Sequence, residues 1–230
     1  RQRQMCIRDR NKVLFIAPHP DDETLGCGGT ILKHKHAGDS VNWLVATSID
    51  GVDQDEDLIE ERSSLIKTVS NAYGFTNTYQ LNFPTTFLDS IPKKEIIYEF
   101  DKIFKKLEPD MIYVPYRLDA HSDHEVVFDC AIACSKSFRN KSVKSIRCYQ
   151  TISETEYGLR PEDPGFKPNL YIDISEFFEE KIRITKLYQQ ELGDHPFPRS
   201  IDSIKAQSIL NGSASQCSFA ESFLIIKEVQ

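Results

Sequence analysis

The chain has 230 residues, of which 40% are hydrophobic and 27% are charged, and its net charge at pH 7 is −7. This length and composition favour one well-buried globular domain, and no apolar run approaches the roughly 20 residues of a membrane span. The acidic balance and the lack of a Lys/Arg stripe argue against a nucleic-acid partner, because phosphate binding requires clustered cations.

The first ten residues, RQRQMCIRDR, are polar and basic and have no periodicity. They also lack the apolar core of a secretory signal. We therefore predict that residues 1–10 are a non-native or disordered extension, with a short ordered arm as the alternative. Residues 11–230 are predicted to form a single domain.

The first half of the chain alternates between predicted strands and helices. A continuous apolar run such as Val13–Ala17 is typical of a strand buried on both faces. Three glycines at 26, 28 and 29 are unusual in a helix and indicate close packing against the sheet or a site. An acidic loop is expected at 48–57. The predicted strands are 13–17, 41–47, 78–81 and 111–114, and the predicted helices are 23–36, 58–73 and 93–107.

The second half continues this alternation after a helix at 125–138 and a strand at 143–150. Residues 154–168 contain three prolines and two glycines, so they are predicted to form a loop or the edge of a lid. The remaining elements are a strand at 170–174, a helix at 175–191 with Ser175 as N-cap, a helix at 201–210 and a strand at 223–229. The pattern predicts an α/β fold, a Rossmann-like, mostly parallel sheet with helices on both faces in a three-layer sandwich.

Two short segments rich in His and Asp follow predicted strands. Residues 19–23 read HPDDE, and residues 119–124 read DAHSDH. Each segment alone has an ordinary explanation, because acidic residues are favourable at the start of a helix. Together they lie where open α/β sheets bind ligands, at the carboxyl ends of the strands, and this favours a metal site. His34 and His36 lie at the far end of a helix and are expected to be exposed.

This combination of residues suits metal-assisted hydrolysis. A catalytic zinc takes about three protein ligands from His and Asp or Glu and leaves a position for water, which it acidifies. A neighbouring carboxylate that is not a ligand can then accept the water proton. Zinc is the expected cofactor, although Fe²⁺ or another divalent metal also suits such ligands.

The two motifs, APHPDDE at 17–23 and HSDH at 121–124, resemble the signatures of the LmbE-like, or PIG-L, family of zinc-dependent N-acetylglucosaminyl deacetylases. The similarity extends from about Lys12 to the C-terminus, with weaker matches at Arg62, at 198–200 (PRS) and at 220–223 (AESF). The resemblance implies hydrolysis of the N-acetyl group of a GlcNAc-type sugar or glycoconjugate.

The resemblance also implies a role for each residue of the motifs. Asp21 would be the general base, and His121 would stabilise the oxyanion and protonate the leaving amine. Asp123 would orient His121 and raise its pKa, while Arg62 would bind the substrate. The metal ligands implied are His19, Asp22 and His124.

Two of these roles have alternatives. His121 and His124 are three residues apart, so a helix could make both of them ligands. We expect His121 to precede the helix and to lie near the metal without binding it. Arg62 could instead be an exposed arginine that pairs with Glu61 or Asp57.

The chain departs from some family members near the expected substrate site. Thr85-Thr86 stands where some carry an acid and a glycine, and Asp119 stands where some carry a tyrosine. Residues 213–216 (SASQ) replace a glycine-rich stretch. These differences leave the particular acetylated sugar open.

Three other functions remain to be distinguished. The same chemistry could act on another N-acyl substrate, such as a thiol conjugate or an antibiotic intermediate. A nucleotide-binding Rossmann-like protein could use the glycines after residue 25, but their spacing is not GxGxxG and residues 21–23 would repel phosphate. A non-catalytic metal-binding module would not need Asp21 and His121.

Six cysteines without a CxxC pair suit the reducing cytoplasm, and the sequence leaves a homo-oligomer open.

Overall fold

The computed structural model describes residues 10–49, 55–161 and 164–230. The strands in this part of the chain are β1 (Lys12–Ala17), β2 (Ser40–Ser48), β3 (Asn77–Pro84), β4 (Met111–Pro115), β5 (Ser145–Tyr149), β6 (Leu170–Asp173) and β7 (Ala220–Glu228). They form one sheet in the order β3-β2-β1-β4-β5-β7-β6. The first five strands are paired in parallel, and β7 runs antiparallel to β5 and β6. The predicted mostly parallel sheet is confirmed.

Helices cover both faces of this sheet. Those in the described residues are α1 (Asp22–His36), α2 (Glu56–Tyr73), α3 (Lys93–Leu107), α4 (Ser122–Cys134), α5 (Phe178–Thr185) and α6 (Ile201–Ser215). Helices α3 and α4 pack on one face, and α1, α2 and α5 pack on the other. The three-layer arrangement is thereby confirmed.

Strand β1 shows why the central strands are apolar throughout. Val13 and Phe15 join the core beneath α1 and α2, whereas Leu14 and Ile16 join the core beneath α3 and α4. All four side chains are fully buried. Burial of each side chain contributes about 1.5–3 kcal/mol to the stability of the fold. A polar residue on either face of the strand would therefore be destabilising.

The glycines of α1 allow the helix to lie close to its neighbours, as predicted. A Cβ atom on Gly26 would stand 2.4 Å from Cδ2 of Tyr149, and one on Gly29 would stand 2.6 Å from Cβ of Ile174. Both distances are shorter than a van der Waals contact. The glycines therefore serve helix packing at these two positions.

Four local expectations are wrong. The region predicted as one helix at 175–191 contains the shorter α5 and a separate 3₁₀ turn at Gln189–Glu191. Ser175 is not the N-cap, because its N–H and hydroxyl both bind the Asp173 carboxylate in a local turn. The helix expected at 125–138 begins at residue 122 and ends at 134. His34 is largely buried, since its ring binds Asp39 and Tyr113.

The predicted extension at 1–10 falls mainly outside the described residues, as do residues 50–54 of the acidic loop. The single-domain assignment of residues 11–230 stays a prediction. No helix in the described part of the chain has the length and apolar character needed to cross a membrane.

Candidate active site

The two His/Asp segments meet at one edge of the sheet because their strands are neighbours. Strand β1 pairs directly with β4, and both strands run in the same direction. The turn after β1 is fixed by Thr47 of β2, whose N–H and hydroxyl both donate to the carbonyl of Pro18. The ring centroids of His19 and His124 consequently lie 5.6 Å apart.

His19, Asp22 and His124 form a cluster with the character of a metal site. One potential ligand atom from each lies within 4.8 Å of the others. Nδ1 of His19 is 3.2 Å from Oδ2 of Asp22, and Nε2 of His124 is 3.4 Å from the same oxygen. Asp22 and His124 are almost completely buried.

Two atoms of this cluster show that a cation fits it. Oδ1 of Asp22 and Nε2 of His124 are buried and have no hydrogen-bond partner among the described residues. Buried polar atoms are almost always satisfied, so two unpaired ligand-type atoms in one cluster indicate a missing partner. A histidine nitrogen and a carboxylate oxygen are donors that zinc accepts.

The electrostatics of the cluster point the same way. Burial would lower the pKa of His124, but the carboxylates of Asp22 and Asp119 outweigh this effect and raise that pKa well above its usual value. Burial would likewise lower the pKa of His19, yet its hydrogen bonds to Asp123 and Asp22 raise the pKa to about 9. The carboxylates thus create a negative potential that favours protons or a cation.

Asp119 positions the deepest ligand and was not predicted as a site residue. Its Oδ2 lies 2.7 Å from Nδ1 of His124, and its Oδ1 accepts a hydrogen bond from Thr155. This carboxylate–histidine pairing fixes the ring so that Nε2 faces the cluster. The sequence signal was the acidic residue that replaces the tyrosine found in some relatives.

His121 lies beside the cluster at the start of α4. It is the N-cap of this helix, so it precedes the helix as expected, and its Nδ1 accepts a hydrogen bond from the backbone N–H of Asp123. Its ring centroid is 4.5 Å from that of His19. His19, His121 and Asp123 also bring ligand-type atoms within 4.8 Å of one another.

The expected contact between the Asp123 carboxylate and His121 is absent from the described residues. That carboxylate instead lies 3.0 Å from Nε2 of His19 and accepts the backbone N–H groups of Thr86 and Leu88. The expected rise in the pKa of His121 is also wrong. Burial and the neighbouring His19 lower this pKa, and they outweigh the attraction of Asp123.

Asp21 occupies a strained turn between β1 and α1. Its φ of 133° is unusual for a residue other than glycine. The turn is held because the Asp21 carbonyl accepts the N–H groups of Thr24 and Leu25, while its own N–H donates to Glu23. The side chain takes no part in capping α1 and instead accepts a 2.8 Å hydrogen bond from Arg199.

A cavity of about 240 Å³ opens above these residues. His19, Asp21, His121 and Arg62 are among the residues that line it. Arg62 does not pair with Glu61 or Asp57, the partners suggested by the sequence. Its Nη2 instead donates to Glu191 at 2.6 Å. The remaining charged residues at the cavity, none of them predicted as site residues, are Glu154, Glu191 and Arg199.

Comparison with known proteins places this site in a family context. A family model described as PIG-L, GlcNAc-PI de-N-acetylase, matches residues 14–135, which span both His/Asp segments. Diacetylchitobiose deacetylase from Thermococcus kodakarensis is 25% identical over 232 residues, covering 94% of this chain and 83% of that protein.

Solved structures share the fold over nearly the whole chain. N,N'-diacetylchitobiose deacetylase from Pyrococcus horikoshii superposes with a TM-score of 0.75 at 24% identity, covering 95% of this chain and 85% of that one. The zinc-inhibited form of teicoplanin deacetylase superposes with a TM-score of 0.74 at 15% identity, covering 93% and 97%.

Proposed function

The chain belongs to the PIG-L family of de-N-acetylases, and from that premise we propose that it hydrolyses the N-acetyl group of a GlcNAc-type sugar or glycoconjugate. One observation carries the proposal. A buried His/Asp/His cluster with unpaired ligand-type atoms lies directly beside the Asp21 carboxylate, below an open cavity. Metal-assisted amide hydrolysis uses this combination of a cation site and a neighbouring base.

The residues that would hold the cation are His19, Asp22 and His124. Zinc is the metal we propose, because two imidazoles and one carboxylate are a donor set it prefers for catalytic sites. When bound, such an ion polarises an amide carbonyl and lowers the pKa of water.

Asp21 and His121 would manage the protons. Hydrolysis adds a water oxygen to the carbonyl carbon, breaks the C–N bond and delivers a proton to the departing amine. Asp21 lines the cavity, and its Oδ1 receives no hydrogen bond within the described part of the chain, which supports a role for it as acceptor of the water proton. His121 lines the same cavity, which supports a role for it in stabilising the oxyanion and protonating the amine.

The charged rim of the cavity supports a hydroxyl-rich substrate. Arg62, Glu154 and Glu191 offer both donors and acceptors, as sugar hydroxyls require. A relative named for its action on diacetylchitobiose also favours a sugar. We further propose that the protein acts in the cytoplasm, because its five described cysteines are unpaired thiols.

The decisive experiment measures acetate and free amine released from a panel of compounds by zinc-loaded protein. The panel contains N-acetylglucosamine, diacetylchitobiose, an N-acetylated thiol conjugate and an N-acylated antibiotic precursor, with chelated protein as the control. Release from the sugars supports the proposal. Release from only the thiol conjugate or the antibiotic precursor overturns the sugar assignment, and inactivity together with tight binding of NAD or ATP by metal-free protein would favour a nucleotide-binding role.

A further inference from the structure

Arg199 joins several segments that surround the cavity. Its Nη1 donates to Oδ2 of Asp21 at 2.8 Å and to Oε2 of Glu191 at 3.3 Å. Its Nη2 donates to Oε1 of Glu154 at 3.3 Å, and its Nε donates to Oγ of Ser153 at 2.7 Å. The guanidinium therefore ties the turn after β1 to two loops that are remote from it in sequence.

Asp21 requires a cationic partner in its position. The residue is only 3% exposed, and its neighbour in the chain, Asp22, is a second buried carboxylate. Burial of an unpaired carboxylate is expensive, and a second carboxylate nearby increases the cost. The ion pair with Arg199, at 2.8 Å, supplies the positive charge that offsets this cost.

The contact between Arg199 and Asp21 also fixes the orientation of the Asp21 carboxylate. Arg199 binds Oδ2 only, and Oδ1 is left without a hydrogen bond among the described residues. The backbone cannot adjust freely to compensate, because it is already held in the strained turn before α1. One oxygen is thus anchored while the other faces the cavity.

We propose that Arg199 is the positioning residue of Asp21, and that Glu154 and Glu191 hold its guanidinium in place. This inference rests on the proposed function in one respect, namely that Asp21 is the general base. Arginine suits the task because its planar group presents five donors in a fixed fork. Lysine would offer a single charged centre and could not satisfy the same four acceptors with fixed directions.

The kinetic test compares Arg199→Lys and Arg199→Ala with the wild type, all loaded with zinc. We expect kcat to fall about 10–100-fold in Arg199→Ala, with a smaller change in KM and about one equivalent of metal retained. Guanidinium added at millimolar concentration should restore part of kcat in Arg199→Ala and none in Asp21→Asn. Arg183→Ala is the matched control, because that arginine forms only an exposed pair with Glu180.

Three kinetic results would overturn the inference. They are a kcat within twofold of the wild type, a loss of metal from Arg199→Ala, and an increase in KM alone, which would make Arg199 a substrate contact. Arg199→Lys keeps the charge and much of the volume, so it tests the inference even where the alanine variant folds poorly.

A second measurement needs no activity. In metal-free protein, Asp21→Asn removes a buried charge, and we expect it to raise the melting temperature more in the Arg199→Ala background than in the wild type. Additive shifts in melting temperature would contradict the pairing of the two residues. A wild type that is inactive on every substrate would defeat the proposed function. The double-mutant comparison of melting temperatures would still decide whether Arg199 supports Asp21.

Discussion

Adjacent carboxylates in one turn can have different chemical roles because their side chains enter different surroundings. Asp22 lies between two imidazoles, and these rings outweigh the effect of burial and hold its pKa well below the usual range. Asp21 faces the cavity and Arg199 instead. The position in the turn, more than the residue type, would therefore separate the proposed ligand Asp22 from the proposed base Asp21.

Replacement of Asp21 by Asn should remove activity while the metal stays bound. Asn has a similar shape but cannot accept the water proton, and a positioned general base contributes roughly 10²–10⁴-fold in rate. The measurement pairs kcat with metal content after dialysis. Asp22→Asn is the matched control and should lose metal. If Asp21→Asn lost its metal instead, the two aspartates would have exchanged roles.

Replacement of Arg62 by Ala should weaken substrate binding. Arg62 lines the cavity, and its Nη2 donates to Glu191. We expect KM for the preferred sugar to rise several-fold, with metal affinity unchanged. Glu191→Gln weakens the ion pairs of Glu191 with both Arg62 and Arg199 but leaves Arg62 in place, and its kcat reports any effect that passes through Arg199. An equal effect of both variants would mean that only the ion pair matters.

Short motifs predicted most of the residues that meet at the site, since the carboxyl ends of neighbouring parallel strands converge. They contained Asp119 and Arg199, in segments 119–124 and 198–200, but assigned neither a role at the site, because Thr155 and Asp21, which these residues contact, are distant in sequence. The partner of Asp123 was missed for the same reason. Backbone N–H groups near residue 87 hold this carboxylate, and their position follows from the path of a loop.

At the scale of elements, the fit of α1 depends on Gly29. Gly29→Ala should destabilise the protein by about 1–3 kcal/mol, because the new methyl group would overlap Ile174. Chemical denaturation provides the measurement. If the clash is the cause, the same substitution should cost less in an Ile174→Ala background, where space is available. An equal cost in both backgrounds would contradict the steric explanation.

Most helices and strands were predictable because apolar periodicity dominates over local effects in long elements. Helix α3 matched its predicted bounds, and its apolar face reaches the core through Ile96, Phe100 and Phe104. The region after β6 was harder. The turn formed by Asp173 and Ser175 delays the helix, and this local competition for backbone N–H groups outweighs helix periodicity.

At the scale of the whole molecule, metal removal should lower stability. A ligand present at a hundred times its Kd stabilises the folded state by about 2.7 kcal/mol. For a chain of this size, that corresponds to about 5–10 °C in Tm. Calorimetry with and without a chelator measures the change. Asp22→Asn should melt at the same temperature in both conditions, and an undiminished zinc effect in that variant would place the ion elsewhere.

The neighbouring positions of β1 and β4 in the sheet have a consequence for synthesis of the chain. The contact between His19 and Asp123 joins residues 104 positions apart. At about 5–20 residues per second, the ribosome needs roughly 5–20 s to make the intervening segment. During that interval the nascent chain carries His19 and Asp22 without His124. Under the proposed metal site, a chain terminated before residue 124 lacks one of the three ligands and should retain the ion poorly. Metal content would then distinguish finished molecules from such fragments.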